Sequence, residues 1–174
     1  MSRLAVAALL ALVATPSFAM ELTSPDVTDG QPFATKFVCA KFGGSSISPA
    51  LSWTGVPAGT KSLAVTMFDP DAGTVGFWHW LAVDIPPATA GLEQGAGAPG
   101  KMPAGTTPLP NGAKQASYAG PCPPPGKPHH YQITVYALSA AKAEVAGMQP
   151  ADVGAWLDRN AIDKTRMTPV FEAK

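Results

Sequence analysis

The sequence predicts a mostly β protein, an antiparallel β-sandwich with helices at the periphery of its C-terminal end. Three observations lead there. Short apolar runs of strand length recur from Pro32 to Leu138, bounded by turn residues. Glycine (17) and proline (19) are abundant but alternate with those runs, the pattern of a loop-rich β protein rather than of disorder. Helical periodicity is confined to the chain after Leu138, and strands followed by helices pack as a sheet core with helices to one side.

Each element has its own justification. PFATKFVCA (Pro32 to Ala40) alternates well enough for a strand, and the turn-rich GGSSISPALSW leads into a short strand ending at Trp53. KSLAVTMF (Lys61 to Phe68) is almost continuously apolar, as a strand covered on both faces must be. Asp-Pro-Asp ends it, because Pro70 has no amide hydrogen to continue a ladder. FWHWLAVDI (Phe77 to Ile85) is the next strand. Strict alternation would put Phe77, His79, Leu81, Val83 and Ile85 on one face, with Trp78, Trp80, Ala82 and Asp84 on the other. HYQITVYAL (His130 to Leu138) is a third strong strand, with Tyr131, Ile133, Val135 and Ala137 on one side. From Pro86 to Tyr118 no period is visible, and this long loop is expected to be ordered in part by packing over the sheet. Two helices are expected near the end. SAAKAEVAG (Ser139 to Gly147) is short and stopped by glycine. PADVGAWLDRNAI (Pro150 to Ile162) has proline at its first position, Asp152 in its first turn and an apolar face of Val153, Trp156, Leu157 and Ala161.

The N-terminus reads differently from the rest. Arg3, the apolar run Leu4 to Val13 and the small-x-small end Ser17-Phe18-Ala19 describe a secretory signal peptide over residues 1–19, leaving 20–174 as one domain. The run is shorter than the ~20 residues of a membrane span, so no transmembrane anchor is expected after cleavage. A periplasmic or secreted location follows. Charged residues are only 14% and balance to zero net charge, so neither a basic stripe for nucleic acid nor a cationic patch for anionic membranes is present. Two cysteines, Cys39 and Cys122, remain in the exported part, and an even count in that compartment favours one disulfide over a catalytic thiol or a metal pair.

The chemistry-bearing residues fall at strand ends. Asp69 and Asp71 flank Pro70 after one strand, His79 lies on the next, and His129 and His130 lead into the third. If these strands are neighbours, Asp69, Asp71, His79 and His129 can converge on one pocket, built on loops held by a rigid sheet. A carboxylate there can hold a histidine in its donor tautomer and raise its pKa. The plainer alternative is a solvated turn and a core histidine packed between tryptophans.

SPALSW (Ser48 to Trp53), GTKSLAVTMFDPDA (Gly59 to Ala72), WHWLAVDIP (Trp78 to Pro86) and YAGPCPPPGKPHHYQITVYAL (Tyr118 to Leu138) carry a resemblance. The chain resembles the phosphatidylethanolamine-binding protein family, in its bacterial Raf-kinase-inhibitor-like branch. The resemblance implies a Greek-key sandwich with a small surface pocket for phosphate-like groups, including phospholipid head groups and phosphorylated side chains. The pocket residues it implies are Asp69, Pro70, Asp71, His79, Tyr118, Pro123, His129 and Tyr131. The cysteine pair also fits the bacterial branch. The chain departs from the family pattern at His130, where arginine is usual, after DPDA, where a proline is missing, in PNGAKQASY before Tyr118, and at the C-terminus.

Two function classes compete. A binding module, exported and able to modulate a partner such as a kinase or protease, needs no cofactor and no metal. A hydrolase would use the Asp/His cluster for acid–base chemistry, with or without a metal. The chain lacks a Gly-x-Ser-x-Gly elbow, a His-Glu-x-x-His motif and a phosphate-binding P-loop, so the non-enzymatic reading is preferred.

Overall fold

The structure is a computed structural model that describes residues 19–174. The signal-peptide assignment therefore falls on residues that lie, all but Ala19, outside the described ones. Ten strands and one α-helix follow in order: β1 (Glu21–Thr23), β2 (Leu51–Thr54), β3 (Ser62–Asp69), β4 (Phe77–Ile85), β5 (Gly91–Leu92), β6 (Thr107–Pro108), β7 (His129–His130), β8 (Gln132–Leu138), α1 (Pro150–Asn160), β9 (Ala161–Met167) and β10 (Val170–Phe171). The strands form a five-stranded sheet in the order β6-β4-β3-β8-β9, a three-stranded sheet β1-β2-β5 and a two-stranded pair β10-β7. Every paired strand is antiparallel to its neighbour.

The five-stranded sheet is covered on both faces. On one, Leu63, Val65 and Met67 of β3 and Tyr131, Ile133, Val135 and Ala137 beside or within β8 pack against Leu51, Trp53 and Leu92 of the small sheet. On the other, Ala64, Tyr136 and Leu138 pack under Val153 and Leu157 of α1. Double coverage explains why β3 is almost continuously apolar. The long loop from Pro86 contributes β5, β6 and the buried Ala96 and Asn111, so it is ordered by packing, as expected.

Three local expectations are corrected. Pro32 to Ala40 is not a strand. It contains a 3-10 turn at Thr35–Phe37, followed by another at Ala40–Phe42, and Gly44 N–H returns to Cys39 O while Ser46 N–H returns to Val38 O. The alternation arose from Phe33, Phe37 and Val38 all turning inward from a folded-back loop. Ser139 to Gly147 is not helical either. Its amides are satisfied from outside: Ala143 N–H donates to the Asp84 carboxylate and Ser139 N–H to Asn160 O. One C-terminal helix is therefore present where two were expected, and Ala161–Met167 continues from it as β9.

The strict alternation along β4 also fails. Consecutive β3 residues Met67 and Phe68 face Trp80 and Trp78, which leaves His79 as an extra residue in a β-bulge. Beyond it the phase is reversed. Trp80 joins His79 on the side of the first core, against Tyr118, while Leu81 and Val83 join Trp78 on the α1 side.

Candidate functional site

The bulge aims His79 into a cavity of about 400 Å³ at the end of β3 and β4. Asp69, the last residue of β3, enters from the neighbouring strand. His129 enters from β7, and Tyr118, Gly120 and Pro123 close one wall. Of the eight residues implied by the resemblance, Asp69, His79, Tyr118, Pro123 and His129 line this cavity. Pro70, Asp71 and Tyr131 are not in its lining.

Asp69 is buried and its carboxylate is fully engaged. Oδ1 accepts from Asp71 N–H at 2.8 Å, and Oδ2 accepts from His129 Nδ1 at 2.7 Å. The turn and the carboxylate thus hold the His129 ring, leaving its Nε2 as the edge available for a ligand. His79 is held differently. Its Nδ1–H donates to Ala119 O at 2.9 Å, and Ala119 N–H donates to His79 O at 2.9 Å. Burial pushes the His79 pKa below the usual histidine value. The Ala119 carbonyl and Asp69 act in the opposite sense, and His129 adds to the lowering. The expected upward shift by a carboxylate is therefore reversed at His79. Asp69 is already committed to His129 and to a backbone amide, and desolvation dominates. Neutral His79 with Nδ1–H fixed presents Nε2 as an acceptor.

Asp71 faces outward. Its Oδ2 accepts from both His130 N–H (2.9 Å) and His130 Nδ1 (2.8 Å), and Lys127 Nζ lies 3.9 Å from Oδ1. The side-chain hydrogen bond from His130, then its backbone N–H, hold the Asp71 carboxyl below the usual range. His130, at the family's arginine position, supplies a two-point contact to the turn and so braces the cavity rim. Tyr131 stands behind the cavity, with its ring 5.2 Å from that of His79 in an edge-to-face arrangement and its hydroxyl buried without a hydrogen-bond partner among the described residues. Burial, with Asp69 and Asp71 nearby, keeps that phenol protonated far above its usual range. Tyr118 is likewise kept neutral by burial, and its hydroxyl donates to Phe37 O.

The expected disulfide joins Cys39 and Cys122, with Cα atoms 5.5 Å apart, and both residues line the cavity. Other contributors lay beyond sequence reasoning. Gly120 packs on the Phe37–Cys39 backbone so closely that a Cβ would lie 2.6 Å from Phe37 O. Ser46, at φ 49°, lines the same wall. Phe77 packs edge-on to His79. Buried Asn111 organises the loop that delivers Gln115, accepting from Ala113 and Gln115 N–H through Oδ1 and donating to Ser117 O. Ser48, whose hydroxyl accepts from Gly97 N–H, had a signal in the quoted SPALSW, but the Asn111 loop has no periodicity to announce it. Among the described residues no group of three His, Cys, Asp or Glu side chains is placed to hold a metal ion. The arrangement offers two imidazole edges, an Asp-anchored histidine and an apolar wall, which suits a small polar or ionic group more than an extended chain.

Known proteins share the sequence and the fold of this chain. The chain is 41% identical to the UPF0098 protein YbcL of Escherichia coli over the full length of both, and 38% identical to YbhB of the same organism, covering 87% of this chain and 99% of YbhB. The crystal structure of YbcL, described as a new member of the mammalian PEBP family, superposes with a TM-score of 0.85 at 42% identity, covering 90% of this chain and 100% of that one. The homologue CT736 of Chlamydia trachomatis superposes at 0.75 with 27% identity, covering 90% of this chain and 99% of that one. The sequence profile described as "Phosphatidylethanolamine-binding protein" matches residues 23–172. The chain belongs to the phosphatidylethanolamine-binding protein family.

Proposed function

We propose that this family member is an exported, non-enzymatic binding protein whose cavity takes a phosphate-like group, from a phospholipid head group or a phosphorylated ligand. The observation that carries the reading is the convergence of Asp69 and His79, from the adjacent strands β3 and β4, and of His129, from β7, on one cavity. A phosphate oxygen has an anionic and, near neutral pH, a protonated form in a monoester. Nε2 of neutral His79 can accept that proton, or a protonated His79 can donate to the dianion, so the bound pair needs one proton whichever group carries it. An ammonium head group would find its acceptor on the Asp71 rim, where one carboxylate is 28% exposed. Export is supported by the apolar N-terminal run and by the disulfide, which persists in oxidising compartments. No helix among the described residues is long and apolar enough to cross a membrane. Modulation of a partner such as a kinase or protease would follow from occupancy of the same cavity by a phosphorylated side chain.

The test is calorimetry of wild type and His79→Ala with inorganic phosphate, phosphoethanolamine and a short-chain phosphatidylethanolamine. Loss of the His79 contact is expected to weaken binding by about 1.5–3 kcal/mol. Preference for the lipid or for the free phosphoester separates the two sources. Equal affinities of the two proteins for every probe would assign His79 a purely structural role and defeat the proposal.

A further inference from the structure

The outer face of the five-stranded sheet carries a polar row that the core does not explain. Thr66 of β3 pairs in register with Thr134 of β8, and Thr134 pairs with Arg166 of β9. One row earlier the same face is apolar and covered by α1, through Ala64, Tyr136 and Leu157. At the threonine row a cavity of about 310 Å³ opens, roofed by Ala151, Gly154 and Ala155 of α1 and flanked by Trp78 and Gln132. It lies across the sheet from the cavity that holds His79, which is built on the other face.

Thr66 lines this cavity while only 1% exposed. Arg166 Nε donates to Thr134 Oγ1 at 2.9 Å, which lays the guanidinium along the sheet. No carboxylate within 4.0 Å pairs with Arg166 among the described residues, since Asp158, the carboxylate in the lining, is taken by Lys164 at 2.6 Å. The donors that face the space are therefore the guanidinium, hydroxyls and the Gln132 amide. The remaining wall is aromatic, with the Trp78 ring fixed between Phe68 (4.6 Å between centroids) and Gly154, where a Cβ would lie 2.3 Å from the ring.

From this donor set and flat apolar wall we infer a second binding site, for a small organic carboxylate with an apolar or aromatic body. The carboxylate sits between the Arg166 guanidinium and the Thr66 hydroxyl, a fork that matches carboxylate geometry, and the body lies against Trp78. The site is independent of the phosphate-like ligand and shares no residue with it.

Benzoate is the probe, with neutral benzamide as its isostere. The readout is the Trp78 indole N–H resonance of 15N-labelled protein, assigned by its absence in Trp78→Phe. Benzoate is expected to shift that resonance saturably and benzamide to do so far more weakly. Arg166→Gln, an exposed position, and Thr66→Val, which keeps the buried volume, are each expected to weaken benzoate about tenfold, the loss of one hydrogen bond to a charged group. Both variants keep phosphoethanolamine affinity at the His79 cavity. The inference is overturned if benzoate leaves the resonance unmoved, if benzamide binds equally, or if the shift survives in both variants. It is also overturned if phosphoethanolamine displaces benzoate.

Discussion

At the scale of single residues, the two histidines of the cavity are not equivalent. His129 is tied to a carboxylate, whereas His79 is tied to a carbonyl and desolvated. Burial in the second arrangement lowers the His79 pKa below its usual value of 6.5, and this fixes the direction of the pH response. An anionic ligand favours the imidazolium, so the His79 pKa is higher in the complex than in the free protein. Affinity for a phosphodiester, which has no proton of its own to contribute, is then constant below the free-protein pKa, falls as pH rises from there to the pKa of the complex, and is constant above it. The fall begins below pH 6.5 rather than at it. Calorimetry of a short-chain phosphatidylethanolamine in buffers of different ionisation enthalpy is expected to register proton uptake on binding between those two values and none in His79→Gln. Absence of uptake in the wild type at every pH would mean that His79 binds as a neutral group. The residues themselves were legible in the sequence: Asp69, His79 and His129 stand out as three chemistry-bearing side chains at strand ends. The outward turn of Asp71 was not legible, because it depends on His130 and Lys127, whose partner is decided only when β7 is placed beside the turn.

At the scale of elements, α1 and β4 are fitted to each other through a missing side chain. Gly154 is buried in the middle of α1, where glycine costs about 0.5–1 kcal/mol relative to alanine on propensity alone. A Cβ there would lie 2.3 and 2.6 Å from two Trp78 ring atoms, and Phe68, 4.6 Å away between ring centroids, packs against the ring and restricts its movement. Gly154→Ala is therefore expected to destabilise the protein by about 1–3 kcal/mol, the cost of overpacking, in place of the gain propensity predicts. Urea unfolding measures the sign, and a stabilised variant would show that the ring is free to move. The same elements mark where sequence reading succeeds. α1 was legible from its proline start and apolar face, and the span of β4 from its aromatic and β-branched run. The side-chain phase of β4 was not, because a bulge inserts one residue without changing composition, and Trp80 to Val83 beyond it change face until a second register shift returns Ile85 to the first core. Nor was β9 legible: AIDKTRM is an edge strand whose pairing with β8, not its own pattern, makes it a strand.

At the scale of the whole molecule, the disulfide ties the folded-back loop of Thr35–Phe42 to the wall that begins at Gly120, and both segments face the cavity. Alongside it, Cys39 N–H donates to Pro121 O at 3.0 Å, Gly120 packs on the backbone before Cys39, and the Tyr118 hydroxyl donates to Phe37 O. The disulfide adds a covalent constraint to these contacts. The separation of 83 residues makes the constraint large, about 4.5 kcal/mol at most if it acts through loop closure in the unfolded chain. Alanine at both positions isolates that contribution, because Cys39 is half-buried, Cys122 is exposed, and neither leaves a large hole in the core. The Cys39→Ala/Cys122→Ala protein is expected to unfold at lower urea concentration, with a steeper denaturant dependence, since its unfolded chain is no longer held compact. Its affinity for phosphoethanolamine is expected to fall as well, because the wall carrying Tyr118 and Pro123 loses its tether to the opposite segment. A double variant with the stability of the wild type would show that non-covalent contacts alone hold the wall. Lowered stability with unchanged affinity would separate the two roles, leaving the disulfide as a staple of the fold and the cavity as a property of the strand ends.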